Sequence, residues 1–214
     1  MSSFYNKIKV FLGVEKKENK HILSIFLEKK CVFFHIPKTA GISISNALFG
    51  DVKWGHRNVN FYKSHYGDKV FNSLYKFCFV RNPYERLFSA YTFLKEGGIN
   101  NLDLEFSNSY LKEFTSFDEF VLKGLEKKEI MNWVHFKPQY TFVCDEKDNI
   151  VMDFVGKIEN LNADFNTVCK YLNVDTELQK LNISPVKKIK FSEEIKSIIK
   201  LKYQKDFNLF YPHL

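Results

Sequence analysis

One pattern, found twice, constrains the fold of this chain more than any other feature. A short and nearly continuous apolar run stops at a polar turn, and an amphipathic helix follows. The first copy begins with Cys31-Val-Phe-Phe-His-Ile36, breaks at Pro37, turns through Lys38-Thr-Ala-Gly41 and continues with Ile42, Ile44, Ala47 and Leu48 at helical spacing. The second runs Lys76-Phe-Cys-Phe-Val80, turns at Arg81-Asn82 and starts a helix at Pro83, which carries Leu87, Tyr91 and Leu94 and ends at Gly97-Gly98. A run apolar on both faces is the signature of a buried strand in a parallel sheet. Strand, loop and helix in succession therefore predict an α/β domain with a central, mainly parallel sheet flanked by helices.

The rest of the chain fits the same class. Ser116 and Glu119 form a capping-box pair for a helix to about Lys127, Ile150 to Val155 reads as a strand, and Asn162 caps the next helix. Ser192, with Glu193 and Glu194 in the first turn, opens a last helix. No repeat or Pro/Gly/Ser-rich linker interrupts 1–214, so the expectation is one domain, with residues 1–30 as an extension and 31–211 as the core. Phe accounts for 23 of the 214 residues, enough to fill such a core without covalent staples. Cys31, Cys78, Cys144 and Cys169 show no C-x-x-C spacing and read as small core residues; a Cys144–Cys169 disulfide is the lesser alternative.

Charge narrows the function. A net +7 implies attraction to an anion, but the lysines are spread along the chain and do not form a tail, which argues against nucleic acid as a partner. No run reaches the ~18 apolar residues of a membrane span, and no signal peptide is visible, so a cytoplasmic location is expected. Phe4, Ile8, Phe11 and Leu12 with Lys7 and Lys9 would make a basic amphipathic helix for peripheral membrane contact; a helix packed on the domain is the simpler reading.

Both polar turns fall where open parallel sheets bind ligands, beyond the carboxyl ends of strands and at helix N-termini. The first offers Lys38, Thr39, the small Ala40 and Gly41, and the hydroxyls of Ser43 and Ser45. The second places Arg81 at the strand tip and Ser89 eight residues later. A nucleoside-triphosphate loop would carry glycines before its lysine and an acidic residue at the next strand end for magnesium. Here the lysine precedes Gly41, and Val80-Arg81 ends the second strand. Two basic groups without an acidic metal ligand suit an anionic donor held directly by the protein, with no metal.

At these residues a family resemblance emerges. His35-Ile-Pro-Lys-Thr-Ala-Gly-Ile-Ser43 resembles the 5′-phosphosulfate loop of the carbohydrate sulfotransferases, and Phe79-Val-Arg-Asn-Pro-Tyr-Glu-Arg-Leu-Phe-Ser-Ala-Tyr91 resembles their 3′-phosphate motif. His135-Phe-Lys-Pro-Gln139 and Asp153-Phe-Val-Gly-Lys-Ile-Glu159 are similar, more loosely, to segments of the enzymes that sulfate chondroitin and related glycans. The resemblance implies a P-loop-like nucleotide-binding domain using 3′-phosphoadenosine 5′-phosphosulfate (PAPS) as donor, releasing adenosine 3′,5′-bisphosphate (PAP), and sulfating a carbohydrate hydroxyl.

It also implies roles. Pro37, Lys38, Thr39, Ala40, Gly41, Ile42 and Ser43 would cradle the 5′-phosphosulfate, with Lys38 stabilising charge on the departing phosphate. Arg81 and Ser89 would hold the 3′-phosphate, and Lys187 and Lys188 would belong to a late loop closing over that side. The acceptor must lose a proton, and His56, in Trp54-Gly-His-Arg57, resembles the base of the heparan enzymes; His135 is the runner-up, and His35 reads as a core residue. Two departures from the animal enzymes are expected: no N-terminal membrane anchor and stem, and no disulfide framework. A kinase or ATPase with a degenerate loop, or an inactive glycan-binding relative, are the competing functions.

Overall fold

The apolar runs become strands because their backbone groups pair inside the protein while every side chain escapes water. The computed structural model describes residues 21–52, 55–178 and 190–214. In chain order β1 (Cys31–Phe34) is followed by α1 (Gly41–Phe49), α2 (Val59–Ser73), β2 (Tyr75–Val80), α3 (Pro83–Lys95), α4 (Asn101–Phe106), β3 (Phe154–Lys157), α5 (Leu161–Leu172), α6 (Glu193–Lys202) and α7 (Gln204–Phe210), with shorter helical turns between α4 and β3. These elements pack as two compact units. The described residues of 21–36, 40–79 and 142–178 form the first, and those of 37–39, 80–141 and 190–214 the second.

The first unit holds the sheet, in the order β1-β2-β3. β1 and β2 run parallel, with Cys31 opposite Tyr75 and Phe34 opposite Cys78. All residues of both strands are buried. Even Lys76 is: its ammonium meets the Asp153 carboxylate at 2.8 Å and donates to the Leu74 carbonyl at 2.7 Å, so the charge is paired where it is desolvated. Phe34 packs against Tyr62 and Phe71 of α2, with ring centres 4.8 and 6.4 Å away, while Phe33 stacks on Phe77 at 5.1 Å. Helices thus flank a small sheet with parallel pairing, as expected for an α/β class.

The third strand lies later than the sequence suggests, at Phe154–Lys157. Asp145 accepts hydrogen bonds from the Lys147 and Asn149 amides and turns the chain back, so Ile150 forms only an isolated antiparallel bridge with Cys144. Asp153 then exchanges hydrogen bonds with the Lys76 backbone and brings the following residues in beside β2. Helix α5 starts after Asn160, ahead of Asn162, with no cap hydrogen bond from the Asn160 side chain, while the Asp164 carboxylate accepts from the Lys157 amide at 2.6 Å. All four cysteines are free and buried. Burial pushes the Cys31 thiol up to about 12, which leaves it inert as a nucleophile.

The second unit is helical. Asn82 caps α3 through the Tyr84 amide with Pro83 at the first helical position, and Gly97 and Gly98 close it at φ of 97° and 68°. Ser116 and Ser192 cap their helices as predicted. The Glu119 carboxylate, however, turns to the amide and hydroxyl of Thr115, and the helix widens into a π-turn at Phe120–Gly124. A β-carbon on Gly124 would lie 2.8 Å from the Phe120 ring, so the wider turn depends on the missing side chain. Phe120 joins Tyr91, Phe114 and Phe136 in an aromatic core. Among the described residues no helix is long and apolar enough to cross a membrane.

Candidate functional site

The loop after β1 is shaped by two residues in left-handed conformation, Lys38 (φ 69°) and Ala40 (φ 56°). Neither is glycine, so each costs about 1–2 kcal/mol that the surrounding structure must hold. Pro37 and Thr39 are buried, Lys38, Ala40 and Ser43 are half-buried, and Ile42 is exposed. Helix α1 starts at Gly41, and its N-cap position is held by Ala40, which has no polar side chain to cap it. Its first amides are therefore directed at the loop side, the arrangement that favours an anion.

Gly41 is there for close approach. A β-carbon at this position would fall 1.9 Å from Cδ2 and 2.1 Å from Nε2 of His35. The His35 ring stacks on Phe33 at 5.9 Å and lies 4.4 Å from the His56 ring. His35 is thus half-buried at the loop, not an ordinary core residue. His56 Nδ1 is 2.8 Å from the His35 carbonyl oxygen. A carbonyl only accepts, so Nδ1 carries the proton and donates it, and the neutral ring's basic lone pair is on Nε2. The first unit accordingly gathers Gly41, His35 and His56.

A second gathering lies wholly in the other unit. Lys38 Nζ sits 3.9 Å above the Phe93 ring, and the His135 ring is 5.1 Å from the same phenylalanine. Buried His135 directs Nε2 to Asp103 Oδ1 at 3.4 Å. Asp103 is buried in the Gly97-Gly98 turn; its carboxylate accepts from the Asn100 side chain at 3.0 Å and from the Ile99 amide at 3.3 Å. Gly98 makes room, since a β-carbon there would lie 2.2 Å from Asp103 Cβ. Burial first, and the nearby Arg81 cation second, lower the Lys38 pKa to about 8, against Asp103 and Glu96, which raise it.

Arg81 is only partly engaged. Its guanidinium approaches Glu85 at 3.5 Å, and its buried Nε makes no hydrogen bond among the described residues. Ser89 follows Glu85 by one turn on the same face of α3, half-buried, and no hydrogen bond joins its hydroxyl to Arg81. Lys187 and Lys188 lie outside the described residues, as does the segment from Phe4 to Leu12. Among the described residues no cluster of three or more His, Cys, Asp or Glu forms a metal-binding group.

Sequence reading missed Phe93, Asp103 and Gln139. Phe93 had a signal, being an aromatic residue off the buried stripe of Leu87, Tyr91 and Leu94. Asp103 had another, the Asn100-x-x-Asp spacing of a helix start, in which Asn100 accepts from the Asp103 amide at 2.9 Å.

The chain is 32% identical over 117 residues to an uncharacterised protein of Archaeoglobus fulgidus, covering 52% of this chain and 78% of that one. No solved structure gives a significant match. The sequence model of the sulfotransferase family matches residues 23–212, a span that includes both phosphate-type motifs, and the chain belongs to the sulfotransferase family.

Proposed function

We propose that the chain moves a sulfuryl group from PAPS to a hydroxyl of a carbohydrate acceptor by in-line displacement, with no metal taking part. The observation that carries this reading is the pairing of Lys38 with Arg81. Two cations share one partly desolvated neighbourhood, the Arg81 charge disfavours the Lys38 ammonium, and Arg81 Nε is buried without a hydrogen-bond partner among the described residues. An anion with phosphate groups at two separate positions relieves both, and PAPS carries a 3′-phosphate apart from its 5′-phosphosulfate, which ordinary adenosine 5′-phosphates lack.

Residues 37–43, with the uncapped start of α1, hold the 5′-phosphosulfate. Arg81 and Ser89 take the 3′-phosphate, and Lys187 and Lys188 close over it. His56 Nε2 accepts the proton of the attacking hydroxyl as the new S–O bond forms. The bond from sulfur to the bridging oxygen breaks, and Lys38 stabilises the charge that collects on that oxygen. The tautomer fixed by the His35 carbonyl supports His56 as base. A second assignment has its own observation: His135 shares Phe93 with Lys38 and is oriented by Asp103.

Transfer of labelled sulfate from PAPS to a panel of glycans tests the reading. Lys38→Ala is expected to lower kcat by about 10²-fold or more, the usual loss for a preorganised charge stabiliser. Arg81→Ala is expected mainly to raise the donor KM. His56→Ala should keep PAP affinity and lose rate by about 10²-fold or more. Normal turnover by Lys38→Ala defeats the assignment; normal turnover by His56→Ala together with a dead His135→Ala moves the base to His135.

A further inference from the structure

Gln139 is completely buried, and its primary amide bonds the Arg81 backbone at both ends and also reaches the Asp206 carboxylate. Oε1 accepts from the Arg81 amide at 2.9 Å, and Nε2 donates to the Arg81 carbonyl at 2.9 Å. Arg81, half-buried, directly follows Val80, the last residue of β2, so its backbone groups would otherwise leave the ladder unmatched where water reaches them only in part. The glutamine supplies both missing partners, as a neighbouring strand would.

Gln139 is itself fixed from behind. Its own amide donates to Asp206 Oδ2 at 2.8 Å, and the Tyr140 amide donates to Asp206 Oδ1 at 2.9 Å. Arg86, fully buried on α3, donates to the carbonyls of His135 at 3.2 Å and Lys137 at 2.6 Å. The Tyr203 hydroxyl donates to the Phe136 carbonyl at 2.7 Å. Residues 135–140 are thus held at nearly every position by buried groups from α3 and from the α6–α7 region. Truncating any of these would leave a buried polar partner unsatisfied, so the segment has little freedom to relax. In contrast, the Arg81 side chain keeps a buried donor, Nε, without a partner among the described residues. A rigid backbone under an under-used guanidinium is how a preorganised anion ligand is built.

We propose that Gln139 is a positioning residue that fixes the Arg81 backbone and so sets how strongly the protein prefers 3′-phosphorylated adenine nucleotides over those without a 3′-phosphate. This rests on the reading of Arg81 as the 3′-phosphate ligand. The effect passes through Arg81 alone: Gln139 touches no nucleotide.

Calorimetric titration of the full chain with PAP and with adenosine 5′-monophosphate tests this, using wild type, Gln139→Met, Gln139→Glu, Arg81→Ala and the Arg81→Ala/Gln139→Met double variant. The methionine keeps the volume and removes both hydrogen bonds to Arg81 together with the side-chain bond to Asp206; the glutamate keeps the acceptor for the Arg81 amide and loses the donor to its carbonyl. Each Gln139 variant is expected to weaken PAP roughly three- to tenfold, the size of a lost hydrogen bond, with monophosphate affinity held within about twofold. The donor KM should rise with kcat preserved, and Gln139→Met should add nothing in the Arg81→Ala background. Folded variants that bind PAP like wild type, weaken both nucleotides equally, or add fully to Arg81→Ala overturn the proposal. Wild type also answers without any substitution: the Arg81 amide should exchange hydrogen as slowly as Val80 in the absence of nucleotide, and exchange at loop rates overturns the clamp. A wild type that does not distinguish PAP from the monophosphate defeats the Arg81 reading itself. A wild type that does, with indifferent Gln139 variants, defeats only the clamp.

Discussion

Lys38 shows how one side chain is tuned by opposing forces. Burial beside Phe93 and the charge of Arg81 favour the neutral amine, while Asp103 and Glu96 favour the ammonium, and the balance lies at about 8. If the ammonium is the working form, kcat/KM for the donor, which reports the free enzyme, should fall as pH rises through about 8. A Lys38→Arg variant, slower because its charge is spread over a plane, should lack that alkaline limb. A profile flat to pH 9.5 in wild type would separate Lys38 from the charge requirement. The same shift has a cost in stability. With the folded pKa below the unfolded value, the unfolded chain holds more protons between about 8 and 10.5, so the deficit is complete below pH 8 and is relieved as pH rises to 10.5. Lys38→Met should therefore raise Tm at pH 7 by about 2 °C, with a smaller gain at pH 10, as a thermal melt would show.

At the level of elements, the start of α1 is where fold and site depend on the same atom. Gly41→Ala would put a β-carbon 1.9 Å from the His35 ring, which Phe33 and His56 already confine. We expect about 1–3 kcal/mol of destabilisation and loss of most PAP affinity with the helical signal intact; unchanged PAP binding would show that the loop tolerates a displaced His35. Such features were partly legible beforehand. Strand–turn–helix order, Pro83, and the Ser116 and Ser192 caps are local properties, carried by apolar runs and by side chains that reach only their own backbone. β3 was misplaced because the strand is chosen by Asp153 meeting Lys76, a partner 77 residues away. The π-turn at Phe120 follows from a ring packing over Gly124. The motif lysine and arginine, Lys38 and Arg81, were readable from type and spacing, but Gln139 was not: its partner is 58 residues distant, and an isolated glutamine carries no sign that both ends of its amide are spent.

Over the whole molecule, the formal charge of +7 is spread across 32 basic and 25 acidic residues, and two local clusters give it chemical meaning. His35, Gly41 and His56 supply close approach and a basic nitrogen in one unit; Lys38, Arg81, Phe93, Asp103 and His135 supply tuned charge in the other. Membership of the sulfotransferase family makes group transfer the activity, and the missing Walker spacing separates the loop from those of nucleoside triphosphatases. The central claim, that Lys38 and Arg81 serve a 3′-phosphorylated donor, is tested most directly by a thermal-shift titration with PAP in EDTA beside ATP with magnesium. PAP should stabilise the protein saturably, by about 2.7 kcal/mol at a hundredfold excess over its Kd, with ATP nearly silent. No response to PAP, or a larger one to ATP with magnesium, would contradict the claim.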